Sequence, residues 1–229
     1  MKKHLILLVV AVLLILPYYA LAVTPGGAQI TDNGETGYTE RSPDSVNVTA
    51  GFIRSADLYA EMSTYRWAGL FGNVSGTIVL ASGSGLSADK MFQWSANASV
   101  VFASEASSVA WSSLTNVNET QVLANYSFLG SGSDNYNATF NNVGTLNTNT
   151  VLGGSINANF ANTLDNESNA FWKTFILGDG SNIVFAGVVE PAGHASFNSS
   201  IVQYQMILPE DGSNGDTTAT AYNIWVELI

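Results

Sequence analysis

Apolar and polar side chains alternate most regularly in residues 65–102. Val74 and Ile78 fall on one side of the repeat, and Ser75 and Thr77 fall on the other. Because successive side chains of a β-strand point to opposite faces, this period of two predicts a half-buried strand. A stretch rich in glycine and serine follows and favours a reversal, after which the alternation resumes and predicts a strand over residues 91–102. The pattern therefore predicts a long hairpin at the centre of a sheet.

The first strand of the fold is predicted at residues 46–52. Val46 and Val48 lie on one side of the alternation there, and Asn47 lies on the other. The continuation at 55–62 also fits a helical turn, and we favour a strand that degrades into a turn. Pairing of the first strand within its own sheet is the favoured interpretation, and donation to a neighbouring subunit is the alternative.

The last third of the chain predicts four strands. Residues 171–177 and 183–189 flank a glycine-bearing turn, which is typical of a hairpin. Residues 201–208 predict a strand stopped by Pro209, and the final strand is predicted within 217–229. One face of that final strand carries Tyr222, Ile224, Val226 and Leu228.

One helix is predicted, at residues 116–125. Asn118 can cap it, because an asparagine side chain accepts a hydrogen bond from a free N–H of the first turn, and Glu119 suits that turn. Residues 137–162 are rich in asparagine, threonine and glycine and predict irregular surface strands and loops. About seven to nine strands with one short helix indicate an all-β fold, an antiparallel β-sandwich of jelly-roll or immunoglobulin-like type.

The first 22 residues have the three parts of a secretory signal peptide. A positive start precedes an unbroken apolar run at residues 5–16, and an A-x-A motif ends at Ala22. Cleavage is expected before Val23; an uncleaved anchor is the alternative, although the run is short for a bilayer span. The mature chain would comprise a flexible polar lead at 23–45 and one β-sandwich domain at 46–229.

Charged residues make up only 11% of the chain, against about 25% in ordinary soluble proteins. Without the two lysines of the leader, five basic and 18 acidic residues leave a formal charge of −13. Such a surface repels phosphate backbones and anionic lipids, so we expect neither nucleic acid nor, after cleavage, a membrane as partner. The chain has no cysteine, which excludes disulfides, thiolate metal sites and cysteine nucleophiles.

Eight asparagines begin an N-x-S/T sequon with no intervening proline, which predicts N-glycosylation of an exported chain. Glycans would hydrate a surface that carries few charges, although some sequons arise by chance in a sequence this rich in asparagine. The eight are Asn47, Asn73, Asn97, Asn118, Asn125, Asn137, Asn166 and Asn198.

The sequence offers little for catalysis or metal binding. His194 is the one histidine outside the leader, and no G-x-S-x-G motif accompanies it. Glu190 and Glu227 could form a glycosidase pair, but solvated surface acids are the favoured interpretation. Residues 211–216 could bind calcium, but Asp216 stands where an EF-hand requires glycine, so a hydrated turn is favoured. We assign no catalytic residue, cofactor or metal ligand.

Several motifs together resemble a group of secreted archaeal surface proteins of largely unassigned function. They are YRWAGLFGNVSGTIVL at 65–80, VAWSS at 109–113, FW…LGDGSNIVF at 171–185, YQMILPEDG at 204–212 and YNIWVEL at 222–228. The resemblance implies an archaeal cell-surface β-sandwich and brings no catalytic residues. A looser similarity of design is to archaeal extracellular filament subunits with Sec-type leaders, in which the N-terminal strand of one subunit completes the sheet of the next.

Three functions follow as hypotheses for this extracellular protein. The favoured one is a structural subunit of a filament, pilus or coat that associates with copies of itself by strand pairing. The second is a secreted adhesin or carbohydrate-binding module that takes surface glycans as partners. The third is a secreted hydrolase, which the single histidine outside the leader and the absence of cysteine disfavour.

Overall fold

A computed structural model describes residues 24–39, 42–83, 88–148, 154–213 and 218–229, so the predicted signal peptide and its cleavage site lie outside the described residues. In chain order the strands are β1 (Gly26–Gly27), β2 (Trp67–Gly72), β3 (Gly76–Ser82), β4 (Asp89–Ala96), β5 (Ala98–Ser104), β6 (Thr115–Asn116), β7 (Asn142–Asn147), β8 (Ser155–Leu164), β9 (Ala170–Gly178), β10 (Ile183–Val188), β11 (His194–Ala195), β12 (Ile201–Val202), β13 (Tyr204–Pro209) and β14 (Asn223–Leu228). The α-helices are α1 (Glu119–Asn125) and α2 (Tyr136–Thr139), and short 3₁₀ turns span Trp111–Ser113 and Ser127–Gly130.

An eight-stranded antiparallel sheet is the main layer of the fold. Its order is β1-β14-β5-β10-β9-β8-β7, and β6 also pairs with β9. The central strands β5 and β10 are almost wholly buried, as expected for short, continuous apolar strands covered on both faces. Phe185 and Ile176 face one core, and Phe102 and Phe175 face the other.

The second layer is the antiparallel pair β2–β13, which packs on the first of these faces together with the helical segment. Thr174 of β9 is fully buried, and its hydroxyl accepts a hydrogen bond of 3.1 Å from the N–H of Ile207 in β13. The buried Gln205 side chain accepts from Phe197 N–H at 3.1 Å and donates to Thr163 Oγ1 at 2.8 Å. These polar links fix the two layers in register. The predicted all-β antiparallel sandwich is confirmed.

The predicted helix, second hairpin and last strand are also confirmed. Helix α1 is capped reciprocally, because Asn118 Oδ1 accepts from Gln121 N–H and Gln121 Oε1 accepts from Asn118 N–H, both at 3.0 Å. Strands β9 and β10 form the hairpin. In its turn, the carboxylate of Asp179 accepts hydrogen bonds from the backbone N–H groups of Ser181 and Asn182. The final strand is shorter than predicted, but its predicted apolar face packs into the first core.

Three predicted elements differ from the structure. The predicted strand over 91–102 divides at Asn97 into β4 and β5, because β4 leaves the body while β5 enters the main sheet. The hairpin β3–β4 is a separate two-stranded sheet, so the prediction that it is central is wrong. Residues 137–162, expected to be irregular, hold the regular pair β7–β8, because a few buried apolar residues such as Leu146 are enough to cover one face.

Candidate assembly interface

Residues 42–64, which we call the arm, form no helix or strand, and every one of them is exposed. The predicted strand at 46–52 is therefore wrong for the isolated chain, since a strand needs a partner for its backbone. Val48 is 79% exposed and Phe52 is 80% exposed. The full set of large apolar side chains exposed in the arm is Val46, Val48, Phe52, Ile53, Leu58, Tyr59 and Met62.

The arm is tied to the body at its C-terminal end. The hydroxyl of Thr64 donates to Asp134 Oδ2 at 2.6 Å, and Arg66 Nη1 lies 2.5 Å from Asp134 Oδ1. Partial burial acts to raise the pKa of Asp134, but the hydrogen bond from Thr64 and the charge of Arg66 outweigh it and hold the pKa below its usual value. Trp67 also donates its indole N–H to the backbone oxygen of Asp134 at 2.6 Å. These contacts fix the C-terminal end of the arm to the body, while its apolar side chains remain in solvent.

The second exposed feature is the hairpin β3–β4, which we call the ribbon. Ile78 pairs with Trp94 and Leu80 with Phe92, so these four side chains share one face. Each of them is between 47% and 56% exposed. An isolated two-stranded hairpin is marginally stable in water. The ribbon is therefore a sheet fragment whose apolar face is only half covered.

The polar lead at 23–45 contributes a short strand that was not predicted. Gly26 and Gly27 pair with Val226 and Trp225, and Ala28 N–H donates to Ile224 O at 2.9 Å. Glycine contributes no side-chain pattern, so alternation could not reveal this strand. The contact covers part of the outer edge of β14.

All eight sequon asparagines are exposed on the described surface. The structure places Asn47 in the arm, Asn73 and Asn97 beside the base of the ribbon, Asn118 and Asn125 at the two ends of α1, Asn137 in α2, Asn166 between β8 and β9, and Asn198 between β11 and β12. Residues 48–64 and 74–96 contain no asparagine at all. Most of the arm and the whole ribbon are therefore free of sequon asparagines.

Within the described residues, the side chain of His194 pairs with an aspartate and not with a serine hydroxyl. Its Nε2 lies 3.2 Å from Asp165 Oδ2, and its ring stacks on Phe171 with centroids 3.5 Å apart. The nearby hydroxyl of Ser196 donates to Asn198 instead. Burial opposes ionisation of Asp165, but hydrogen bonds from Asn169, and then from His194, lower its pKa to about 2. This arrangement is a buried polar anchor for the β8–β9 turn.

The structure also shows the surroundings of the acidic residues that the sequence offers for glycosidase chemistry or calcium binding. Glu227 is fully buried, and the Ser99 hydroxyl donates to its Oε2, so its assignment as a surface acid is wrong; it lies on the strand face opposite the predicted apolar side. Glu190 is half-buried. Asp211 accepts hydrogen bonds from Ser213, while 214–217 lie outside the described residues. Within the described ranges, no group of three or more His, Asp or Glu is placed to hold a metal ion.

In the described part of the chain, no helix is long and apolar enough to cross a membrane. Comparison with known proteins finds no matching family model, no matching curated protein and no matching solved structure.

Proposed function

We propose that this protein is a structural subunit of an extracellular filament, pilus or coat, assembled by β-strand pairing between copies. The observation that supports this most strongly is the arm, which carries seven large apolar side chains in solvent. Full burial of such a side chain contributes about 1.5–3 kcal/mol. A segment with this composition gains stability only when something covers it.

The arm has the pattern of a strand but no sheet of its own. Val46, Val48 and Phe52 fall on one side of the alternation, while Asn47 and Thr49 fall on the other. Strand addition to an exposed sheet edge would satisfy the backbone of the arm and bury alternate side chains. A second copy of the chain supplies such edges. The arm thus matches the donor half of a strand-exchange contact.

The exposed sequons support a location at the cell surface. Their asparagines all lie on the protein surface, where an oligosaccharide can be attached without disturbing the core. A glycosylated, acidic coat or filament protein would rely on these glycans for hydration. Glycopeptide mapping of protein from native cells tests this part of the proposal.

A matched pair of arm variants tests the assembly. In protein produced without glycosylation, the double variant Val48→Asp and Phe52→Asp charges the apolar side of the arm. The control, Asn47→Asp with Thr49→Asp, adds the same charge on the polar side. We expect filaments by negative-stain electron microscopy from wild type and control only. Monomeric wild-type protein under all assembly conditions, or normal filaments from the apolar-side variant, would contradict the proposal.

A carbohydrate-binding adhesin is the second candidate, and the exposed aromatic pair Phe71 and Phe197 favours it. Their rings meet edge-to-face with centroids 5.1 Å apart, and Phe197 is 55% exposed. Aromatic faces in solvent can stack on sugars. A glycan array with wild type and Phe197→Ala tests it: binding that the substitution abolishes would support an adhesin, and no binding would exclude it.

A further inference from the structure

We infer that the outer edge of β3 is the acceptor for the arm of a second copy, so that the arm adds as a third strand to the ribbon. This inference rests on the proposed function and names the contact through which it would operate. The occupant is the arm of another copy of this chain, and the acceptor is the backbone of Gly76–Ser82.

Beyond Gly76, which lies against Leu228 of β14, the outer edge of β3 meets no other described strand. Among the described strands, β3 pairs only with β4. Its sequence, GTIVLAS, has no charge and no proline, and these are the residues with which proteins usually block an exposed edge. Strand β4 carries both Asp89 and Lys90. The edge of β4 therefore carries charges that disfavour pairing, whereas the edge of β3 is suited to pairing with another strand.

The apolar faces of the two segments match in pattern. The ribbon presents Ile78 and Leu80 on the β3 side of its apolar face. An arm strand at 46–53 has no charged residue, and it can place Val48 on that face beside either of them. Directly opposed side chains of neighbouring strands lie about 4.5–5.5 Å apart at Cβ. Pairing would thus extend a half-covered face while satisfying both backbones.

In the described chain neither the arm nor the outer edge of β3 is paired with another strand, which favours a neighbouring copy as the partner of each. The arm joins the body just before Trp67, the first residue of β2, whereas the ribbon begins at Gly76, four residues after the last residue of that strand, Gly72. Six residues of strand separate the two points by about 20 Å. The attachment point of the arm and the start of the ribbon therefore lie at opposite ends of β2. A contact between two different surfaces of this kind generates an open chain of subunits when its rotation does not close a ring.

Glycan placement is compatible with the contact. The stretches 48–64 and 74–96 contain no asparagine, although asparagine is frequent elsewhere in the chain. Asn47, the sequon residue next to the arm strand, falls on the polar side of the alternation. A glycan there would point away from the ribbon face.

The absence of native cysteine allows a direct test by disulfide cross-linking. Full-length protein with Val48→Cys is mixed with an equal amount of protein carrying Ile78→Cys, Leu80→Cys or Val79→Cys, assembled, and then oxidised. Val79 is similarly exposed but lies on the opposite face of β3, so its variant is the matched control. We expect a mixed disulfide with Ile78→Cys or Leu80→Cys, at least tenfold more abundant than with Val79→Cys. Filaments that form without such a preference would overturn the inference and leave the proposed function standing.

A second pair of variants tests which edge accepts the arm without using cysteine. Val79 and Gln93 face each other across the ribbon on the same face, so Val79→Lys and Gln93→Lys add the same charge to that face, the first on β3 and the second on β4. We expect Val79→Lys to slow filament growth at least tenfold and Gln93→Lys to leave it close to wild type. Equal growth of the two variants, or loss of growth in Gln93→Lys alone, would overturn the assignment of β3. Failure of the wild-type protein to assemble would instead reject the proposed function itself.

Discussion

Arg66 and Asp134 form an ion pair of 2.5 Å at the point where the arm meets the folded body. Arg66 also donates its Nε–H to the backbone oxygen of Phe128 at 2.9 Å, and Asp134 accepts from Thr64 on the arm. The pair thus links the start of β2 to the loop between the helical segments. It separates a body with a packed core from an arm without one.

Replacing Asp134 with alanine is expected to lower the free energy of unfolding by about 1–3 kcal/mol, because a half-buried guanidinium loses its partner. Asp134→Asn keeps an oxygen acceptor and should cost less. Urea unfolding of wild type and both variants measures this. Identical urea midpoints for all three proteins would show that the network does not stabilise the body.

The hydrogen bond between the layers predicts a second effect on stability. Thr174→Val keeps the shape of the buried side chain but leaves the N–H of Ile207 without an acceptor, and we expect a loss of about 1–3 kcal/mol. Thr174→Ser keeps the hydroxyl and should retain most of the stability despite the lost methyl group. A larger loss in Thr174→Ser than in Thr174→Val would contradict a role for this bond.

Asn118 is both the N-cap of α1 and the first residue of a sequon. Two substitutions separate its effect on stability from its role as a glycan acceptor. Asn118→Ala removes both the cap and the glycan acceptor, and in unglycosylated protein it should cost about 1 kcal/mol. Thr120→Ala removes the sequon and leaves the cap intact, so it should change stability little. Thermal unfolding compares them. Equal melting temperatures would mean that the cap is not needed.

Acid should destabilise the fold between about pH 4 and pH 2. Burial acts to raise the pKa of Asp179, but hydrogen bonds from Ala110, Asn182 and Ser181 outweigh it and lower the pKa to about 2, and the pKa of Asp165 is lowered to a similar value. The pKa of an aspartate in an unfolded chain is about 3.9. Because the folded pKa is depressed, the stabilisation is complete above the unfolded value and is lost as the pH falls through the folded value.

Urea midpoints at pH 5, 3 and 2 measure this dependence. Asp179→Asn removes one of the two groups and should flatten the decline between pH 4 and pH 2. Asp32→Asn is a control, because Asp32 lies in the exposed lead. A decline that is the same in wild type and Asp179→Asn would contradict the assignment.

Elements whose partners lie close in the sequence could be predicted from it. The β9–β10 hairpin is defined by its own turn residues, and α1 is defined by Asn118 and the residues after it. Strand β14 has an apolar face that any covering layer would bury. In each case local chemistry contains enough information to specify the element.

Elements that depend on distant partners could not be placed in this way. Alternation in 46–52 and in β3 shows that each segment can form a strand with one covered face. It does not show which surface covers that face, or whether that surface belongs to the same chain. Glu227 shows the same limit. Its place on the polar face of β14 predicts an exposed carboxylate, but in the fold that carboxylate is buried and accepts a hydrogen bond from Ser99.

Amide hydrogen exchange of residues 46–53, compared between monomer and filament, tests the central claim most directly. Strand β10, buried in the core, serves as the internal reference in both states. If the arm becomes a strand on a neighbouring ribbon, its exchange should slow on the order of a hundredfold or more on assembly. Equally fast exchange of these amides in monomer and filament would contradict strand donation by the arm.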